Sequence, residues 1–412
     1  MAKRLGIYIH IPFCASKCSY CDFYSLAGCE HLMPEYHKAL LAHLDESAKS
    51  IKNYEVDSIY FGGGTPSFYG ADRIIEIFNA LKLNGNVRLD AEVTIEVNPD
   101  SISLNALKLL REEGVNRLSI GVQASDNNLL KLIGRRHNFQ QAQTAVANAR
   151  KAGFDNVSLD LIYGLPSQMK SDWAQTLAKV IELHPEHLSC YGLKVEEGTP
   201  LYRVACRDES LEPDEDFQAA CMDAARERLS AAGYHPYEVA SYALDGHECA
   251  HNIAYWTGQG YLGLGRSAAG MLDAEDFDRL AGLFPDVLAR GDAYRVRLVQ
   301  RDDAATTFDA EYLSQREAAA EDLMLACRMT RGIGPDLLVR SASVIAADEL
   351  AAACDRAVEL GLATWVPDHI EGHAGRVTSK DVIAGRVRAR LAPTHLGWLD
   401  GNVLFELFWG LA

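Results

Sequence analysis

Three cysteines, Cys14, Cys18 and Cys21, stand as C-x3-C-x2-C in the run "HIPFCASKCSYCDFYS". Clustered thiols outside a disulfide-dense secreted domain point to metal or redox chemistry. A structural zinc site wants four protein ligands, commonly from two separated pairs, so three cysteines on one loop do not complete it. His10 is near, but "YIHIPFC" puts it inside a strand. A thioredoxin-like Cys18–Cys21 pair should open a helix, and it would leave Cys14 without a role. Three thiolates do suit a [4Fe–4S] cluster whose fourth iron stays open for a ligand, the feature a catalytic cluster needs. Phe23 occupies the next odd position, where a fourth cysteine could sit.

Further candidates lie where strand-like segments end. "FGGGTPS" (Phe61–Ser67) carries three glycines that let backbone approach a ligand, although phosphate loops and plain turns look alike. Glu96 closes "TIEVNP", and Gln123, Arg135 and Asp160 occupy comparable ends. A solvated Arg135 and a helix-capping Asp160 are the alternatives left open here.

Six segments must position these residues: 5–13, 56–64, 91–99, 117–123, 156–164 and 187–195, each rich in β-branched and aromatic residues. Helical patterns separate them, among them "PEYHKALLAHLDESAKSIK", "ADRIIEIFNALK", "LNALKLLREEG" and "FQQAQTAVANARKAG". Six β-α units imply a parallel sheet with right-handed crossovers. Periodicity alone leaves an open doubly wound sheet and an incomplete barrel both possible. In either, the C-terminal strand ends hold the chemistry. Beyond about residue 275 the texture turns mainly helical, with strand-like pieces near 362–366 and 376–378, as in a winged-helix variant.

The composition is that of a globular protein, 48% hydrophobic and 24% charged, with no apolar run fit to span a membrane. The basic, then apolar N-terminus lacks a small-residue cleavage site, so no signal peptide and a cytoplasmic protein are expected. A net charge of −17 argues against nucleic acid as the main partner.

Tyr8-Ile-His-Ile-Pro-Phe-Cys14-x3-Cys18-x-Tyr20-Cys21 resembles the signature of radical S-adenosylmethionine (SAM) proteins, and more narrowly their anaerobic coproporphyrinogen III oxidase-like branch. The resemblance implies a partial (β/α)6 barrel with a small, mainly helical, winged-helix-like C-terminal domain. It implies that the open iron is chelated by SAM, which the reduced cluster cleaves to methionine and a 5′-deoxyadenosyl radical. Gly63, Gly64 and Thr65 would then meet the SAM amino group. Tyr8, Tyr20, Glu96, Gln123, Arg135 and Asp160 would bind SAM too, some of them at a second SAM position. The expected division is 1–245 for the barrel, 246–275 for a connecting segment and 276–412 for the C-terminal domain.

Two departures bear on function. The oxidases carry C-x3-C-x2-C-x-C and a covering N-terminal extension, whereas here Phe23 follows and only seven residues precede Tyr8. With His251-Asn252-x-x-Tyr255-Trp256, these features resemble the branch's heme chaperones. That implies heme, or a related porphyrin, as cargo and heme-requiring apoproteins as recipients. It also implies an electron donor for the cluster, and it allows a homodimer or peripheral membrane contact through a client. His251 is the expected heme-iron ligand, flanked by Tyr255 and Trp256. The other reading is a radical enzyme acting on a porphyrin or other substrate, whether dehydrogenase, methyltransferase or heme-degrading enzyme.

Overall fold

A computed structural model describes residues 2–208, 211–368 and 377–412. Strands β1 (Lys3–Ile11), β2 (Tyr54–Gly63), β3 (Val87–Val97), β4 (Arg117–Gln123), β5 (Val157–Tyr163) and β6 (His187–Gly192) run parallel and neighbour one another in that order. Helices α1 (Met33–Ser50), α2 (Ala71–Asn84), α3 (Leu104–Glu113), α4 (Phe139–Lys151) and α5 (Lys170–Ile181) make the crossovers. A doubly wound sheet reverses its strand order at a switch point. Across these six parallel strands the order never reverses, which resolves the choice left open by the sequence in favour of a partial barrel.

The strands alternate with period two, and both faces are used. Ile7 and Ile9, Ile59 and Phe61, Val93 and Ile95, Leu118 and Ile120, and Leu159 and Leu161 belong to one buried core shared with the helices. The intervening positions are polar: Ser58 and Tyr60, Thr94 and Glu96, Arg117 and Ser119, and Ser158 and Asp160. Packed helices therefore cover the outside of the barrel, and its inner face is left for polar chemistry.

After α6 (Glu215–Ala231), the short strands β7 (His235–Pro236) and β8 (Ser241–Ala243) extend the β6 edge. Helix α7 (Ala250–Trp256) then leads to β9 (Tyr261–Leu264), which pairs in parallel with β1. Antiparallel β10 (Ala269–Asp273), β11 (Arg295–Gln300) and β12 (Phe308–Leu313) complete a twelve-stranded sheet. Its outermost strands, β12 and β7, do not pair, so the barrel is open.

The strands at 295–300 and 308–313, beyond the expected boundary at 276, belong to the main sheet. A second core forms later, around Leu323, Leu338, Leu350, Leu391 and Phe408. It is built from α8 (Gln315–Ala326), α9 (Pro335–Ser341), α10 (Ala347–Glu359), the hairpin β13 (Ala363–Pro367) and β14 (Ala389–Pro393), and α11 (Gly401–Trp409). The strand-like piece near 362–366 is β13. The one near 376–378 falls partly outside the described residues, and β13 pairs with β14 instead.

A buried ionic cluster ties the two cores together. Arg295 on β11 donates to Glu321 at 2.6 Å and to Asp322 at 2.7 Å, both on α8, and Arg297 also pairs with Glu321. Removing one member of a buried pair strands the other's charge. A Glu321→Ala chain is expected to lose about 3 kcal/mol in chemical denaturation. A loss below about 1 kcal/mol, the range of an exposed pair, would show that the junction does not depend on this cluster.

Candidate functional site

The cysteine loop leaves β1 and is pinned from below. His10 uses both ring nitrogens, Nδ1 with Tyr8 Oη at 3.1 Å and Nε2 with the Tyr24 carbonyl at 2.9 Å. A zinc-ligand role for His10 would break one of these bonds. The glycine loop after β2 packs on the same segment: the Gly64 amide donates to Ile11 O and the Thr65 amide to Phe13 O, each at 2.8 Å. A Cβ on Gly64 would stand 2.8 Å from Ile11 O and from Pro12 C, so only glycine permits this approach. Thr65 Oγ1 then reaches Cys14 Sγ at 3.3 Å and accepts from Asn98 Nδ2 at 3.1 Å.

One cavity of about 340 Å³ opens at the C-terminal strand ends. Cys14, Cys18, Cys21, Tyr20, Gly63, Gly64, Thr65, Glu96, Gln123, Arg135 and Asp160 all line it. Sequence positions from 14 to 160 thus converge on one wall, as the parallel strand order requires.

Arg135 is not solvated. It donates to Asn98 Oδ1 at 2.7 Å and to the Gly121 carbonyl at 2.8 Å, and it lies 3.7 Å from Cys18 Sγ. A bulge between Gly121 and Gln123, with φ of +64° at Gln123, re-aims this strand end toward the cavity. A Cβ on Gly121 would come within 3.0 Å of Arg135 Nη2. Asp160 caps no helix either: it accepts from Ser119 Oγ at 2.8 Å. Glu96 accepts from Tyr60 Oη at 3.1 Å and from the Gly63 amide at 3.2 Å.

Burial, and then the neighbouring Asp160, pushes the Glu96 carboxyl up to about 7. Burial raises Asp160 as well. Both carboxyls are held toward their neutral forms in one cavity, and Arg117, which acts on Asp160, does not offset the burial; a cationic ligand would favour their ionised forms.

Tyr8 and His251 are not brought to this cavity. The Tyr8 ring stacks on Tyr60 and His251 behind the wall. His251 is 1% exposed, with Nδ1 bonded to Ser58 Oγ and Nε2 to Tyr255 Oη, both at 2.9 Å. Burial and then Arg117 lower its pKa to about 3, which keeps the ring neutral. As an iron ligand it would have to leave at least one of these partners. Its neighbour Asn252 does line the cavity.

Asn98, Arg117, Ser119, Ser189, Tyr191 and Lys194 also line the cavity and are absent from the sequence-derived set. Arg117 and Ser119 carried a signal, since they share the period-two face of Gly121 and Gln123.

The residues present fit the implied groups. All ten cysteines are free, and three of them line the cavity. Among the described residues no three His, Cys, Asp or Glu side chains converge closely enough to share a single metal ion. A cluster's thiolates bind separate irons, so such convergence is not required. Burial raises Cys14 and Cys21 above the usual thiol value, and metal binding would draw off their protons. Arg135 Nε, on a residue that lines the cavity, is buried without a partner, as a donor free for a ligand would be.

Comparison with known proteins identifies what the chain is similar to. A family model described as the radical SAM superfamily matches residues 8–180. The heme chaperone HemW of Synechocystis is 33% identical over 332 residues, 79% of this chain and 78% of that one. HemW of Lactococcus lactis is 32% identical over 81% of this chain and 84% of its own, and that of Escherichia coli K12 is 37% identical over 66% and 71%. The solved structure of Escherichia coli coproporphyrinogen III oxidase, HemN, a radical SAM enzyme, superposes with a TM-score of 0.75 at 22% identity. It covers 98% of this chain and 90% of that one, which establishes the fold.

Proposed function

Since the chain belongs to the radical SAM superfamily and, within it, to the heme chaperone HemW family, we propose that it binds heme and hands it to heme-requiring apoproteins in the cytoplasm. The observation that carries this reading is likeness to proteins named heme chaperones over about four-fifths of their length. The family's cofactors are a [4Fe–4S] cluster and SAM.

In this reading Cys14, Cys18 and Cys21 hold three irons, with Lys17 and Arg135 offsetting the negative charge beside them. Gly63, Gly64 and Thr65 take the amino group of SAM, and Glu96 takes the ribose. Tyr20, Gln123, Arg135 and Asp160 complete the SAM contacts or hold a second SAM. Tyr8 acts through His10, whose ring it keeps in place under the loop. When bound and reduced, the cluster supplies the electron that cleaves SAM.

The pH dependence follows from Glu96. A carboxyl raised from 4.5 to about 7 binds more protons folded than unfolded, so the ligand-free chain loses stability as pH rises through that window. A bound sulfonium favours the ionised carboxylate. SAM affinity is therefore expected to rise with pH up to about 7 and then level off, and a Glu96→Gln chain should lose that slope. Equilibrium binding measured across the window checks this. A flat profile for the parent chain would remove Glu96 from the SAM site.

Anaerobic reconstitution, then incubation with reductant, SAM and either heme or coproporphyrinogen III, tests the function. Heme binding without protoporphyrinogen formation supports the chaperone. Decarboxylation, or a methylated or ring-opened porphyrin, would replace it with an enzyme.

A further inference from the structure

A second cavity, of about 300 Å³, lies where the end of α7 meets the C-terminal helices, away from the cysteine loop. That is the lower end of the size range of small-molecule pockets. Its apolar wall is Trp256, Ala326, Met329 and Leu337; three guanidinium groups, Arg331, Arg340 and Arg390, stand around it together with two carboxylates, Asp322 and Asp368. Such a concentration is notable in a chain of net charge −17.

The three cations are weakly neutralised. Arg331 has no partner among the described residues. Arg340 lies 3.7 Å from Asp322, which Arg295 already holds at 2.7 Å. Arg390 lies 3.8 Å from Asp368, which also serves Arg388 at 3.5 Å. On the apolar side, Arg328 stacks 4.6 Å from the Trp256 ring centre and fixes the indole, whose Nε1 is buried without an acceptor.

An apolar aromatic wall with several arginines at its margin suits a flat, apolar molecule that carries carboxylates on one edge. We infer that this cavity receives the propionate edge of heme, with Arg331, Arg340 and Arg390 on the carboxylates and Trp256 against the macrocycle. The inference rests on the heme-binding reading above and adds the place. Helix α7 would then separate two sites, with His251 and Tyr255 bonded toward the barrel and Trp256 toward the cargo. Heme and SAM would bind at the same time.

The test is a heme titration of the reconstituted full chain against an Arg331→Glu/Arg340→Glu variant. Both side chains are exposed and their pairing is absent or loose, so the fold should persist. Heme affinity is expected to fall about tenfold or more, with SAM affinity and iron–sulfur content unchanged. Iron protoporphyrin dimethyl ester, which lacks the carboxylates, should bind parent and variant alike. Equal heme affinity in parent and variant overturns the placement while leaving the heme-binding reading standing. A parent chain that binds no heme overturns both, and displacement of SAM by heme overturns the separation of the sites.

Discussion

A Cys18→Ser chain is expected to fold normally yet retain almost none of the roughly four irons and four sulfides of a reconstituted cluster. The hydroxyl is nearly the size of the thiol, and Cys18 lies on a loop rather than in the core, so the packing changes little. What changes is the ligand: serine offers no thiolate, and the two remaining cysteines cannot hold a cluster that three were needed to hold open. Visible absorbance should vanish along with the iron, while the thermal unfolding of the apo chain stays close to that of the parent. Iron and sulfide contents equal to the parent's would remove Cys18 from the ligand set.

The second large effect is at Gly64. A methyl group there meets the backbone of Ile11, Pro12 and Phe13 at 2.8 to 2.9 Å, and backbone cannot swing aside as a side chain can. Gly64→Ala is expected to cost about 1–3 kcal/mol and to push the cysteine loop off the glycine loop. Because Thr65 follows directly and contacts Cys14 Sγ, cluster uptake should fall as well. Gly282→Ala is the control, since a Cβ there meets nothing within 4 Å. Equal stability and equal uptake in the two variants would show that the two loops are not packed as described.

Much of the barrel was legible in the sequence because parallel strands with one face under helices write their apolar set plainly. Arg117–Gln123 has the same bounds in sequence and structure, and the other five strands differ by a few residues at their ends. The strand-end residues converge because consecutive parallel strands leave their C-terminal ends on one side. Other features had no local signal. "RVRLVQ" and "FDAEYL" are short and charged and give no local sign of joining the main sheet, since Arg295 is satisfied by Glu321 and Asp322 on a later helix. His251 looked like an available ligand because its partner Ser58 lies 193 positions away and nothing nearby announces the bond. The arginine-lined cavity is assembled from four separate segments, so no single stretch displays it.

The central claim is delivery of heme, and its most direct measurement is transfer. The heme-loaded chain, with its cluster reconstituted, is mixed with a heme-free heme protein, and the two are separated and their heme absorbance read. The account predicts that heme leaves this chain and appears, correctly ligated, in the acceptor, faster than free heme enters it. Heme that stays on the chain, or reaches the acceptor no faster than free heme does, would contradict it.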